Sequence, residues 1–212
     1  MAEIIPTILT ADFSDYFERL NSLPETISRI HIDIIDGRFA PNRTISLEAL
    51  KNQETNLKLD LHLMVKEPEE WIKRALEILP ERLIGQVEMM TDPWEFLNQT
   101  IESGMEAGIG VDLTTPVGKL SSETYHLADL VLLMAVKAGS GGQEFDQAVL
   151  GKIKKMKEIT GDLVKIGVDG GLDEKTIPLC RQAGADIFYV GSSFWQEKDL
   201  EKRYRQLLKL VT

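Results

Sequence analysis

The most constraining feature of this chain is a regular alternation of short apolar, β-branched stretches with helix-like stretches. Eight such pairs divide the 212 residues into units of about 26 residues. Strands that alternate with helices predict a parallel sheet, because each helix carries the chain back to the start of the next strand. The pattern predicts strands at 4–9, 29–35, 57–64, 82–87, 108–113, 128–136, 163–168 and 186–190.

Eight units favour an α/β fold of one domain over residues 1–212, a single (β/α)8 or TIM barrel of the phosphate-binding type. The competing fold is a doubly wound open sheet, which would usually carry a glycine-rich turn after its first strand. Here Leu9-Thr10-Ala11-Asp12 follows that strand instead. Helices are expected at 14–23, 47–52, 68–79, 93–104, 145–159, 174–183 and 195–210, with a weak segment at 116–120.

Composition bounds the partners of the chain. The formal net charge is −10, from 24 basic and 34 acidic residues, and no basic face stands out. Nucleic acid is therefore not an expected partner. A small anionic substrate is still compatible with this charge, because backbone amides bind phosphate locally. We also expect a homo-oligomer.

Cysteine usage and hydropathy bear on the compartment. The single cysteine, Cys180, excludes an intramolecular disulfide and lies in an apolar-patterned stretch, so it is expected in the core of a protein from a reducing compartment. No apolar run reaches membrane-spanning length, and Met1-Ala2-Glu3 opens no cleavable signal. These features predict a cytoplasmic protein with no membrane partner.

The second predicted strand combines a core face with a chemical face. Side chains alternate along a strand, so Ile30, Ile32 and Ile34 share one face. His31 and Asp33 share the other, together with Ile35. An imidazole and a carboxylate near the end of a strand can ligate a metal, and the carboxylate can also move protons.

Three predicted strands carry such residues near their carboxyl ends. His31 and Asp33 are joined by His62 on the third strand and Asp169 at the end of the seventh. In a barrel these side chains would converge on the axis. Two His and two Asp suit one Zn²⁺, Fe²⁺ or Mn²⁺ per chain, and the alternative is a set of polar groups solvating the barrel mouth. His126 precedes a strand and is expected on the surface.

Glycine-bearing loops follow the last three strands. They are Gly139-Ser140-Gly141-Gly142-Gln143, Gly170-Gly171 and Gly191-Ser192-Ser193. Glycine lets the backbone approach a ligand closely, and the loops after strands seven and eight form the recurrent phosphate site of this fold. A single Gly-Gly is usually only a turn. Three such loops in this order predict phosphate binding by Gly141, Gly142, Gln143, Gly170, Gly171, Gly191 and Ser192.

Several motifs resemble those of the ribulose-phosphate 3-epimerase family. The segment 6–12, Pro-Thr-Ile-Leu-Thr-Ala-Asp, resembles the family's opening P-S-I-L-S-A-D. The segment 31–42 resembles H-V-D-V-M-D-G-H-F-V-P-N, and 60–65 resembles D-V-H-L-M-V. Gly141-Gly142-Gln143 and 168–171 also match, so the motifs occur in the family's order over nearly the whole chain.

The resemblance implies a divalent metal held by His31, Asp33, His62 and Asp169. It implies inversion at carbon 3 of a ketose phosphate, with Asp33 and Asp169 exchanging protons on opposite faces through an enediolate. Thr7 would stand for the family's serine, and Met64 and Met134 for two of three methionines that cover the intermediate. Asp60 is expected either as a partner of a ligand or as barrel packing.

The chain departs from the family pattern around the pocket rather than at the four ligands. The altered positions are Ile35, Arg38, Gln86, Asp112, Ala138, Ser140 and Gly167. The loop at 138–143 loses a proline and an aromatic residue, and Gln86 replaces a histidine. The four retained ligands favour retained chemistry, whereas the altered rim leaves the identity of the sugar substrate undetermined.

Ribulose 5-phosphate is the first substrate expected, giving xylulose 5-phosphate. One alternative is the same chemistry on a hexulose phosphate such as allulose 6-phosphate, and another is a non-catalytic sugar-phosphate-binding relative. A phosphate-barrel lyase is disfavoured, because those barrels usually carry Asp-x-Lys-x-x-Asp on a strand and the segment 33–36 has no lysine.

Overall fold

Eight parallel strands form a closed barrel in the computed structural model, which describes residues 2–51, 53 and 55–212. Each strand pairs with its neighbours in sequence, and the first pairs in parallel with the eighth, so the sheet has no edge. The strands are β1 Glu3–Ile8, β2 Arg29–Ile35, β3 Lys58–Met64, β4 Arg82–Gln86, β5 Glu106–Val111, β6 Leu130–Met134, β7 Lys165–Asp169 and β8 Ile187–Val190. The predicted (β/α)8 barrel is confirmed.

Helices cover the outside of this barrel. They are α1 Phe13–Ser22, α2 Leu47–Leu50, α3 Ile72–Ala75, α4 Pro93–Glu102, α5 Ser122–Leu127, α6 Ala148–Thr160, α7 Thr176–Ala183, α8 Ser192–Trp195 and α9 Leu200–Leu208. Short 3₁₀ turns occur at Pro68–Trp71, Val87–Met89 and Val117–Lys119. No helix of the described residues is long and apolar enough to cross a membrane.

Three predicted helices differ from the structure. The helix expected at 68–79 ends at Ala75, because Leu79 has a left-handed φ of 55° and precedes a proline, which disfavours helix at that position. The helix expected at 195–210 begins only at Leu200, because Trp195 ends α8 and the Asp199 side chain accepts from the Lys202 amide to start α9. Helix α5 was not expected; Ser121 caps it. The helix expected at 47–52 ends at Leu50, with residue 52 outside the described residues.

Two separate cores follow from strand alternation. Ile30, Ile32 and Ile34 face the helices and are almost fully buried, as predicted for the apolar face of β2. Cys180 lies in the same outer core, as predicted, and burial raises the pKa of its thiol to about 12. The barrel interior holds a smaller cluster that includes Ile35. His126 is exposed, as expected.

A buried ionic layer lies inside the barrel below the candidate ligands. The Asp60 carboxylate accepts from Arg82 Nη1 and from the Tyr189 hydroxyl, both at 2.9 Å, and Arg29 Nε lies 3.0 Å from its other oxygen. The Tyr189 ring in turn lies 4.2 Å from the His31 ring, centroid to centroid. Asp60 therefore belongs to barrel packing, and no hydrogen bond among the described residues joins it to His62.

We predict that Asp60→Ala lowers the free energy of unfolding by about 3–5 kcal/mol, because it removes the buried carboxylate that pairs with Arg82 and Arg29 and leaves them only partners nearer the surface, such as Glu106. Chemical denaturation of the metal-free protein measures this loss. Glu48→Ala is the matched control, since its ion pair with Arg74 is exposed and its loss should cost at most about 1 kcal/mol. Equal costs for the two variants would contradict a structural role for the buried layer.

Candidate metal and substrate site

The strand register brings the four predicted ligands together. His31 and Asp33 alternate into the barrel from β2, and Asp33 is paired in register with His62 on β3. Asp169 is the last residue of β7. One ligand atom from each of the four side chains lies within 4.8 Å of those of the other three. The four residues therefore form a single cluster, although they are separated by up to 138 positions in the chain.

Asp33 occupies the middle of this cluster. Its Oδ1 lies 3.2 Å from His31 Nε2 and 2.9 Å from His62 Nδ1. All four side chains are buried, and Asp169 is the most accessible, at 9% exposure. Charges in such an interior require partners or a metal.

The hydrogen bonds of Gln86 favour one tautomer of the neutral His62 ring. Gln86 Nε2 donates to Glu88 Oε2 at 3.0 Å, since a carboxylate can only accept. This orientation aims Gln86 Oε1 at His62 Nε2, 3.3 Å away. An amide oxygen is also only an acceptor, so the proton of the neutral imidazole lies on Nε2. His62 Nδ1 then presents a lone pair to Asp33.

This arrangement fits a metal cation. With the proton on Nε2, two acceptors face each other, His62 Nδ1 and Asp33 Oδ1, at 2.9 Å. Such a contact is repulsive unless positive charge lies between or beside the two atoms. Two imidazole nitrogens and two carboxylates suit Zn²⁺, Fe²⁺ or Mn²⁺. The cluster can therefore hold a divalent metal ion.

The two carboxyl groups have opposite electrostatic environments. Burial raises the pKa of Asp33, but the charge and hydrogen bond of His31, together with those of His62 when its Nδ1 also carries a proton, outweigh burial and hold that pKa well below the usual range. Burial, followed by the charge of Asp33, raises the pKa of Asp169 to about 6. Burial lowers the pKa of His31, yet the Asp33 charge outweighs it and the pKa is raised. In the metal-free protein Asp33 is therefore ionised, whereas Asp169 holds its proton more readily.

A cavity of about 250 Å³ opens above this cluster. Asp33 and Asp169 line its floor, whereas His31 and His62 lie beneath and do not reach its lining. Every residue predicted to bind the substrate or its phosphate lines it, namely Thr7, Met64, Met134, Gly141, Gly142, Gln143, Gly170, Gly171, Gly191 and Ser192. The structure thus brings all of the predicted positions together.

Glycine is required where the loop after β7 approaches the cavity. Gly170 has a φ of 109°, and a Cβ there would lie 2.6 Å from Val136 Cγ2. Gly171 has a φ of 61°, and a Cβ there would lie 2.6 Å from the Phe145 amide nitrogen. Any side chain at these two positions would collide with Val136 or Phe145. Glycine therefore allows the loop backbone to lie where it does at the cavity wall.

The altered rim positions lie on several sides of the site. Asp112 accepts from the Ala138 amide at 2.8 Å and so joins the loops after β5 and β6. Gln143 Nε2 donates to the Lys137 and Ser140 carbonyls, which folds the loop after β6 onto itself. The remaining positions are Ile35 in the barrel interior, Gly167 under the Tyr189 ring, and Arg38, which is exposed and outside the cavity lining.

Sequence reasoning missed some residues of the cavity wall. Leu9, Arg19, Val136, Leu172 and Trp195 also line it. Trp195 lies two residues after the predicted phosphate loop that ends at Ser193, and this position was the available signal. Arg19 lies in the middle of α1 and gave no signal.

The fold and the site define a (β/α)8-barrel enzyme with a candidate metal centre at the carboxyl ends of its strands. Residues 3–195 match the model of the ribulose-phosphate 3 epimerase family, so the chain belongs to that family and to the isomerases. It is 34% identical to the ribulose-phosphate 3-epimerase of Bacillus subtilis, with 98% of each chain covered. It is 30% identical to that of Aquifex aeolicus, with 100% of this chain and 97% of the relative covered.

Solved structures agree on the fold. A 3-hexulose-6-phosphate synthase superposes with a TM-score of 0.70 at 14% identity, with 100% of both chains covered. A thiamine phosphate pyrophosphorylase from Pyrococcus furiosus gives a TM-score of 0.61 at 16% identity, covering 99% of this chain and 95% of that chain. At such identities the likeness concerns the barrel alone.

We predict that metal affinity falls as the pH drops through the raised pKa of His31 and then below about 6, because protons compete with the metal first for His31 and then for Asp169. The sign follows from both pKa values being raised in the metal-free protein. Chelator competition between pH 5 and 8 should show the dissociation constant rising by roughly tenfold per unit where one group titrates and by up to roughly a hundredfold per unit below both pKa values. Asp169→Asn should flatten this dependence, and a flat profile in the unmodified chain would contradict it.

We predict that Gln86→Leu weakens metal binding by about 10–100-fold, because the partner of a ligating histidine holds its ring and tautomer. Titration with Zn²⁺ or Mn²⁺ against a chelator measures the change. Gln99→Leu is the control, since Gln99 also donates to a glutamate but does so on an exposed helix. Wild-type affinity in Gln86→Leu would show that the contact with His62 does not position the ligand.

Proposed function

We propose that this chain is a metal-dependent 3-epimerase of ketose phosphates, with D-ribulose 5-phosphate and D-xylulose 5-phosphate as the pair interconverted. The observation that carries the proposal is the placement of two buried carboxyl groups with opposite pKa shifts at one four-ligand cluster. Family membership supports the same reaction. The names of the relatives in Bacillus subtilis and Aquifex aeolicus agree with it.

His31, Asp33, His62 and Asp169 would hold one divalent metal ion per chain. Bound there, the ion would supply positive charge that stabilises the developing charge on the substrate oxygens. The identity of the metal is proposed only as Zn²⁺, Fe²⁺ or Mn²⁺, because the ligand set suits each of them. The remaining steps belong to the protein's own side chains.

Asp33 and Asp169 carry the proton transfers. Asp33, the ionised member, removes the proton from C3 of one epimer, and the electron pair of that C–H bond forms the C2–C3 double bond while the carbonyl electrons move to O2. Asp169, the carboxyl group that holds a proton more readily, donates a proton to the opposite face of C3, and the carbonyl re-forms. A pair of carboxyl groups whose pKa values are driven apart suits this division into base and acid. The reverse reaction exchanges the two roles.

The cavity above the metal site provides the substrate contacts in this proposal. Met64 and Met134 cover the reacting carbons with apolar surface, which excludes water and strengthens the local electrostatics. Gly141, Gly142, Gly170, Gly171, Gly191 and Ser192 would bind the phosphoryl group with their amides, and Gln143 would hold the loop after β6. Thr7 supplies a buried hydroxyl without a protein partner among the described residues, and it is available to the sugar.

A hexulose phosphate such as allulose 6-phosphate is the second candidate substrate. The loop after β6 favours it, because Gly139 and Ser140 of that loop are small residues in the cavity lining. The extra carbon would require room at that rim. A non-catalytic sugar-phosphate-binding relative is disfavoured because all four metal ligands are retained. A homo-oligomer and a cytoplasmic location stay predictions.

The deciding experiment is an NMR assay of C3 inversion with defined metals. Ribulose 5-phosphate, allulose 6-phosphate and unphosphorylated ribulose are each incubated with protein reloaded with Zn²⁺, Fe²⁺ or Mn²⁺. We expect the highest kcat/KM with ribulose 5-phosphate and far lower values with the unphosphorylated sugar. Equal kcat/KM for ribulose 5-phosphate and unphosphorylated ribulose would contradict the proposed role of the phosphoryl group in binding. The absence of C3 inversion under every condition would contradict the proposed function.

We predict that Asp33→Asn and Asp169→Asn each lose net epimerisation by at least about 10²–10⁴-fold, because an amide cannot act as a base. Proton exchange needs only one carboxylate, so each variant should still exchange the C3 proton of the epimer that faces its remaining aspartate. Mass spectrometry of each epimer in deuterium oxide, with metal content verified, should give complementary labelling. A metal-loaded variant that epimerises at the wild-type rate would contradict the two-base mechanism.

A further inference from the structure

We propose that Arg19 of α1 binds the phosphoryl group of the substrate and contributes the positive charge at that end of the cavity. The inference deepens the proposed function and rests on it. Arg19 lines the same cavity as Gly191, Ser192 and Trp195. Among the described residues of that lining, it alone carries a cationic side chain, whereas Asp33 and Asp169 are acidic.

Two neighbours hold the guanidinium in place. Arg19 Nε donates to Asp15 Oδ1 at 2.9 Å, one turn earlier on α1. On its other side, Arg19 Cζ lies 5.4 Å from the ring centroid of Trp195, within cation–π range. The indole is itself fixed, because Trp195 Nε1 donates to the Thr7 carbonyl oxygen at 2.7 Å. The arginine head therefore has a defined place at the cavity wall.

The remaining donors of Arg19 match a phosphoryl group. Asp15 uses Nε, and within the described part of the chain no hydrogen bond engages Nη1 or Nη2. A guanidinium edge with free donors suits the bidentate geometry of phosphate. The side chain is 31% exposed, so an anion in the cavity can reach it without displacing protein.

The charges that line the cavity explain why a cation is useful at its phosphate end. A ketose phosphate that places C3 between Asp33 and Asp169 must direct its dianionic phosphoryl group away from both carboxylates. The loops after β7 and β8 supply only backbone and hydroxyl donors there, through Gly170, Gly171 and Ser192. A cation at this end therefore attracts the phosphoryl group and favours one orientation of the substrate.

The test compares Arg19→Met and Arg19→Lys with Arg205→Met. Arg205 is the matched control, because it forms the same i,i+4 pair, with Glu201, on an exposed helix outside the cavity. We expect Arg19→Met to raise KM for ribulose 5-phosphate, and the inhibition constant of inorganic phosphate, by about ten- to a hundredfold. The kcat should change little, since the contact is the same in the ground and transition states. Arg19→Lys should recover part of the loss.

Two outcomes would overturn the assignment. One is an Arg19→Met protein whose KM and phosphate inhibition stay within twofold of wild type. The other is an equal loss of efficiency with the unphosphorylated ketose, which would indicate a structural role. If the wild-type protein inverted no ketose phosphate, the proposed function would fail separately. Calorimetric binding of inorganic phosphate would then decide on Arg19, and equal affinity of wild type and Arg19→Met, or none in either, would refute it.

Discussion

The contact on which the candidate site depends is that between the Asp33 carboxylate and the two imidazoles beside it. Its Oδ1 lies within 3.2 Å of a ring nitrogen of both His31 and His62. An ionised carboxylate in a closed interior is stable only with positive charge or hydrogen bonds close by. The imidazoles lower the pKa of Asp33, whereas burial and the charge of Asp33 raise the pKa of Asp169. Together the four side chains form a site that a cation can occupy.

The barrel supplies this contact through strand register and a polar floor. Parallel pairing sets Asp33 beside His62 and His31 beside Asp60, so one register determines two layers. In the lower layer Asp60 joins Arg82 and Tyr189, and the Tyr189 ring packs against His31 from below. The ligand layer therefore lies above a second layer of buried charges in which Asp60 is paired with Arg29 and Arg82.

The sequence predicted the four ligands because each lies near the end of a strand in an alternating pattern, and parallel strands end at the same rim. It could not predict the role of Gln86, since its link to His62 depends on contacts between β3 and β4 that only the folded barrel provides. Arg19 was missed for a similar reason, because a helix in the first unit meets Trp195 from the last. The early end of α3 goes with the left-handed conformation of Leu79, which the spacing of apolar residues does not indicate.

The most direct test of the metal centre is anomalous diffraction from crystals soaked in Zn²⁺ or Mn²⁺, recorded on both sides of the absorption edge. The account predicts one strong peak per chain within about 2.0–2.3 Å of one ligand atom from each of His31, Asp33, His62 and Asp169. A peak at surface carboxylates with none inside this cluster would contradict the assignment of these four residues as a metal site.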